Sequence, residues 1–92
     1  MMYEIVYTRR AEEDLQRHRK SGDKIVQKKI VKLLKELERH PTFGTGKPEP
    51  LKGDKTGKWA RRITDKHRLV YEIHENIVTI VVASAWGHYE DK

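Results

Sequence analysis

The hydrophobic positions of this chain change period along its length, and the elements follow from that change. In "MYEIVY", Tyr3, Ile5 and Tyr7 alternate with Glu4 and Val6, the period of two expected of a strand. Thr8 then offers an N-cap oxygen to a helix through "RRAEEDLQRHRK", whose apolar anchors are only Ala11 and Leu15. "SGD" at residues 21–23 breaks that helix, and Asp23 can cap the next one. There, Val26, Ile30, Leu33 and Leu37 recur at the spacing of a buried stripe, widened by Ile25 and Leu34, while lysines fill the outer face. Pro41 closes the helix, because the residue before a proline avoids helical geometry.

Alternation returns near Lys58. "KWARRI" sets Trp59, Arg61 and Ile63 against Ala60 and Arg62. "HRLVYEI" sets His67, Leu69, Tyr71 and Ile73 against Arg68, Val70 and Glu72. "NIVTIVVASAW" is apolar on both sides, as a central strand is. The short links "TDK" and "HEN" imply antiparallel hairpins. The expected fold is α+β: two N-terminal helices packed on a mainly antiparallel four-stranded sheet, in the order β-α-α-β-β-β. With 92 residues, one domain over residues 1–92 is expected.

Composition adds a partner class. Charged residues make up 37% of the chain and hydrophobic ones 36%, so a small core carries a heavily charged surface. The net charge of +6 draws such a surface toward phosphates, acidic proteins or anionic membranes. No apolar run is long enough for a membrane span, and "MMYEIVY" does not read as a secretory signal, so a cytoplasmic location is expected. Cysteine is absent and the five histidines form no H-x-x-x-H pair, so neither a metal nor another cofactor is expected.

The candidate chemistry begins between the second helix and the later strands, in a connection that holds all three prolines. In "GKPEPLK", Pro48 and Pro50 fix their own φ and push Lys47 and Glu49 toward extended geometry. These residues alone allow a stiffened loop whose Glu49 offsets local charge, or a carboxylate held still for chemistry. Nearby lie the cations Lys47, Lys52, Arg61, Arg62 and Arg68, and "GHYEDK" adds His88 and Tyr89. A carboxylate base, an imidazole acid and fixed cations are the parts needed to cleave RNA without metal.

"GKPEPLK", "GKWARRITDKHRLVY" and the late "HY" together resemble the YoeB branch of the RelE family of bacterial toxins, over about Asp23 to Tyr89. The resemblance implies a RelE-like, microbial-RNase-like fold and an mRNA endoribonuclease that works in the ribosomal A site, leaving a 2′,3′-cyclic phosphate. It implies a cognate acidic antitoxin of the YefM or Phd kind, and operator DNA bound only by the toxin–antitoxin complex. It also allows a homodimer. Carried over by residue, Glu49 would be the general base and His88 the general acid, with Arg68 stabilising the transition-state phosphate. Lys52 and Arg62 would bind phosphate and Tyr89 would orient the base. This chain departs from the family in its tail. Trp86 and Gly87 precede His88, and Glu90, Asp91 and Lys92 follow Tyr89.

Bland roles are expected for the remaining candidates. His18 and His40 read as surface residues, His67 as a packed strand residue and His74 as a turn residue. Trp59 and Trp86 read as packing groups. Arg61 and Arg62 point to opposite faces, so at most one should reach the site. Arg68 could instead form an ion pair across the sheet. Two other functions compete with the nuclease: a gyrase-inhibiting toxin of the ParE branch, and a basic module that binds nucleic acid or protein without catalysis.

Overall fold

A computed structural model describes residues 2–53 and 57–88. Strand β1 (Glu4–Tyr7) leads into helix α1 (Arg9–Ser21), where the Thr8 hydroxyl accepts the Ala11 N–H at 3.0 Å. Gly22 takes the left-handed conformation that ends α1, and the Asp23 carboxylate caps α2 (Lys24–Leu37) by accepting from Val26 N. After a long connection come β2 (Glu49–Pro50), β3 (Lys58–Arg62), β4 (Arg68–His74) and β5 (Thr79–Ser84), with a 3₁₀ turn at Glu75–Ile77 before β5.

Among the described residues the sheet has five strands, in the order β1-β5-β4-β3-β2, which corrects the expected four. The additional strand is "EP" itself: Glu49 pairs with Ala60 and Pro50 with Trp59, antiparallel. Two residues containing a proline carry no strand signal, but at a sheet edge the missing N–H costs nothing. β1 pairs parallel with β5, Ile5 opposite Ile80. The other pairings are antiparallel.

Both helices cover one face of this sheet. Ala11 and Leu15 of α1 and Ile30, Leu33 and Leu37 of α2 pack on Leu69, Tyr71, Ile80 and Val82. The α2 stripe is as expected except at Ile25, which is 83% exposed, beyond the stripe's edge in the first turn. α1 is anchored more firmly than its two apolar residues suggest. Asp14 and His18 lie on the same face and are buried, so His18 is not the surface residue expected.

Arg61 also belongs to this buried side. Its side chain is fully enclosed. Nη1 donates to Glu36 Oε1 at 2.8 Å and to the Thr45 carbonyl at 3.2 Å, Nη2 to the carbonyls of Phe43 and His40, and Nε to the Tyr71 hydroxyl. All five guanidinium N–H groups thus have partners. Arg61 is therefore no phosphate ligand: it binds the 40–45 loop to the sheet. Gly44 completes the cage, since a Cβ there would stand 2.5 Å from Glu36 Oε1. Partial burial pushes the Glu36 carboxyl up, but the Thr45 hydroxyl and N–H and the Arg61 guanidinium outweigh this and hold it below its ordinary 4.5.

Candidate active site

Among the described residues no helix covers the opposite face of the sheet, and strand parity decides what it presents. Glu49 lies opposite Ala60, and Ala60 lies opposite Val70. Stepping by two along β3 and β4 puts Arg62 and Arg68 on the same face, directly opposite each other. Leu51, Ala60 and Val70 form a small buried floor with Ala83 against it. The methyl of Ala60 leaves open space above that floor. Gly46, Lys47, Glu49, Ala60, Arg62, Arg68 and His88 line a cleft of about 410 Å³.

The chain reaches Glu49 through a tight turn. Gly46 has φ +85°, and its carbonyl accepts the Arg62 N–H at 2.6 Å. A Cβ at Gly46 would stand 2.9 Å from the Arg62 carbonyl, so only glycine lets the loop lie this close to β3. Lys47 follows with φ +51°, a left-handed geometry in place of the extended one expected before Pro48. Joining the Gly46 contact to the β2 pairing forces that turn. A lysine in this region is strained, and such strain persists where the surroundings over-determine the backbone.

Arg68 is anchored through Nη1, which donates to the Thr64 carbonyl at 2.6 Å and to those of Asp65 and His67 at 3.3 Å. The cross-sheet alternative fails because Glu72 pairs instead with Lys58 at 3.6 Å and His74 at 3.0 Å. Arg62 lies 3.7 Å from the exposed Asp65 carboxylate. His88 Nε2 is 2.7 Å from the Asp65 carbonyl. A carbonyl only accepts, so Nε2 carries the proton.

His88 reaches the cleft because β5 is bulged. Tyr71 pairs with Val82 and Val70 with Ser84, which leaves Ala83 as the extra residue. Past the bulge the chain leaves the ladder toward α1. Trp86 packs against the His18 and His67 rings, at 4.6 and 4.2 Å between centroids, and the Arg17 guanidinium lies 3.9 Å above it.

Of the residues singled out in the sequence, Glu49, Lys47, Arg62, Arg68 and His88 therefore meet in one cleft. Lys52 is exposed and outside its lining, Arg61 is in the core, and Tyr89 lies outside the described residues. Sequence reading missed Asp14 and His18, which share a helix face with Ala11 and Leu15 and grip the segment that carries His88. Their spacing along that face was the available signal. Among the described residues no group of His, Asp or Glu is arranged to hold a metal ion, and no helix is long and apolar enough to cross a membrane.

Residues 7–89 match the family model of the YoeB-like toxin of bacterial type II toxin–antitoxin systems. The "Toxin YoeB" of Streptomyces coelicolor is 46% identical over 72 residues, covering 78% of this chain and 83% of that protein. The YoeB/ParE toxin from Agrobacterium tumefaciens superimposes with a TM-score of 0.87 at 37% identity, over 94% of this chain and 99% of that one. YoeB in the heterotetrameric YoeB–YefM toxin–antitoxin complex from Staphylococcus aureus gives 0.78 at 40% identity, over 97% and 100%. With the family model spanning nearly its whole length, the chain belongs to the YoeB-like toxins of bacterial type II toxin–antitoxin systems.

Proposed function

We propose that this protein is a ribosome-dependent endoribonuclease that cuts mRNA in the A site and so stops translation. The observation that carries this reading is the shared cleft. A carboxylate, an imidazole whose Nε2–H rests on the Asp65 carbonyl, and several cations line one opening on the face of the sheet opposite the helices. Glu49 takes the proton from a ribose 2′-hydroxyl, and that oxygen attacks the adjacent phosphorus. The P–O5′ bond breaks, and His88, acting as the imidazolium, gives its Nε2 proton to the departing oxygen and is left as neutral imidazole. The products are a 2′,3′-cyclic phosphate and a 5′-hydroxyl end. Arg68 and Arg62 stabilise the charge that builds on the phosphoryl oxygens, because they are already fixed before reaction. Lys47 and Lys52 guide the RNA backbone, and Tyr89 orients the base.

The positive cleft also suits an acidic antitoxin of the YefM kind, which blocks RNA by covering these cations. Operator DNA is then a target of the toxin–antitoxin complex and not of the toxin alone, and two toxins can meet as a homodimer. The direct experiment maps mRNA 5′ ends on programmed ribosomes incubated with the purified protein and with Arg68→Ala. A new end inside the A-site codon, lost in the variant, is expected. No new end with the wild-type protein would overturn the reading.

A further inference from the structure

The segment that carries His88 belongs to neither a strand nor a helix, so its backbone groups must find partners elsewhere. They find them in side chains and in one strand terminus. Asp14 Oδ2 accepts the Ala85 N–H at 2.9 Å, and His18 Nε2, one helical turn on, donates to the Ala85 carbonyl at 2.8 Å. The Arg68 N–H donates to the Gly87 carbonyl at 3.0 Å. The Gly87 N–H donates to His67 Nδ1 at 2.9 Å. That last bond needs an unprotonated Nδ1, so the His67 proton sits on Nε2.

We propose that His67 is a positioning residue: its neutral ring latches Gly87 and thereby sets where His88 stands in the cleft. This rests on the reading of His88 as the proton donor. His67 is placed for the task. It immediately precedes Arg68, so the same short stretch fixes the phosphate-stabilising guanidinium and the segment bearing the acid. Its ring meets His18 edge-on at 4.9 Å and Trp86 at 4.2 Å, which leaves it little freedom to turn. Gly87 has φ +79°, and the latch restricts the backbone freedom that a glycine would otherwise give to the neighbouring His88.

Protonation at Nδ1 would set two N–H groups against each other and open the latch. Burial lowers the His67 imidazole below its ordinary 6.5, and the charges of His18, Lys66, Arg17 and His88 lower it further. Those groups come from α1, from the loop before β4 and from the tail. Asp23 and Asp65 line the adjoining cavity with Lys66. The latch therefore stays closed through neutral pH and opens on acidification below the ordinary histidine range.

The test has two arms. In ¹⁵N-labelled full-length protein, a scalar coupling across the Gly87 N–H···Nδ1 bond is expected at neutral pH and should vanish on acidification. In ribosome cleavage assays, His67→Leu should lower kcat by about 10- to 100-fold with KM for mRNA unchanged, the scale of a small misplacement. His67→Asn, whose side-chain oxygen can accept near the Nδ1 position, should restore most of the rate. Because that oxygen is not protonated in this range, the acid limb should also move to lower pH. A merely structural histidine would not shift that limb. Absence of the coupling at neutral pH would overturn the proposal, as would a His67→Leu protein with wild-type kcat and pH profile. Should His67→Leu fail to fold, the coupling and the Asn profile still decide. A coupling in a wild-type protein that cuts no RNA would leave the latch standing and sink its catalytic purpose together with the nuclease reading.

Discussion

The β3–β4 ladder has two ends on its open face, and they are built on opposite electrostatic rules. At one end Lys58 lies opposite Glu72, with their charges 3.6 Å apart and His74 joining the same carboxylate. At the other end, four residues along, Arg62 lies opposite Arg68. Opposite charges across a strand pair stabilise it, and like charges destabilise it. The first end is neutralised within the protein. At the second, the described residues set the exposed Asp65 carboxylate and three loop carbonyls beside the two guanidinium groups, with the Glu49 carboxylate in the same cleft. Such an arrangement favours an anion from outside, and a phosphodiester meets that requirement. The left-handed Lys47 and the Gly46 contact lie at this second end, and the β5 bulge lies midway along the ladder, beside Val70 and Tyr71; local strain of this kind is common in functional sites.

The sharpest way to break this comparison is to disable the proposed base and leave the ladder intact. Glu49→Gln keeps the shape of β2 and the proline frame. Cleavage should fall roughly 10²- to 10⁴-fold, the range for a positioned acid or base. Melting temperature should hardly move, since the side chain is exposed at a sheet edge. Cleavage at the wild-type rate would remove Glu49 from the role of base.

The next largest effect tests the two faces of β3. Arg61 and Arg62 are neighbours, yet Arg61 is enclosed and Arg62 lines the cleft. Arg61→Ala takes one donor from Glu36, which keeps those of Thr45, and leaves three loop carbonyls without the guanidinium; an unsatisfied buried acceptor costs about 1–3 kcal/mol. Urea denaturation would read this as a lower midpoint. The same cage gives a pH signature. Glu36 is held below its ordinary 4.5, so it binds fewer protons folded than unfolded. Its contribution is full above about 4.5 and is lost as pH falls through the folded value. Glu36→Gln should flatten the stability profile in that acid window, and an unchanged acid slope would place the effect elsewhere.

How much of this was legible in the chain depends on the range of each signal. The α2 stripe and the Thr8 and Asp23 caps are local and periodic, and they appear as the spacing predicts. β2 was not legible, because "EP" becomes a strand only by pairing with Trp59 and Ala60. Arg61 could have been placed correctly from its alternation with Trp59 and Ile63, two apolar neighbours at i±2. The positive charge drew attention toward phosphate instead. His18 was misread for a similar reason, since its partner, Ala85, is 67 residues away. Glu49 and His88 are also far apart in sequence, and no spacing rule joins them. Their meeting depends on three strands in register and a bulge, which only the folded chain displays. Resemblance supplied that pairing before the geometry did.

The smallest effects give the cleanest reading of the ladder itself. Lys58→Ala removes an attractive cross-strand pair, so it should lower stability by about 0.2–1 kcal/mol and leave RNA binding alone. Arg62→Ala removes a like-charged neighbour of Arg68 and should leave stability unchanged or slightly higher. Its cost should fall on RNA: weaker binding, with the slope of log K against log salt shallower by about 1. Denaturation and binding titrations on both variants, each at two salt concentrations, give four signs to compare. If Arg62→Ala destabilised the fold as much as Lys58→Ala and bound RNA normally, the two ends would be equivalent. The like-charged pair would then be a structural feature and not a phosphate seat.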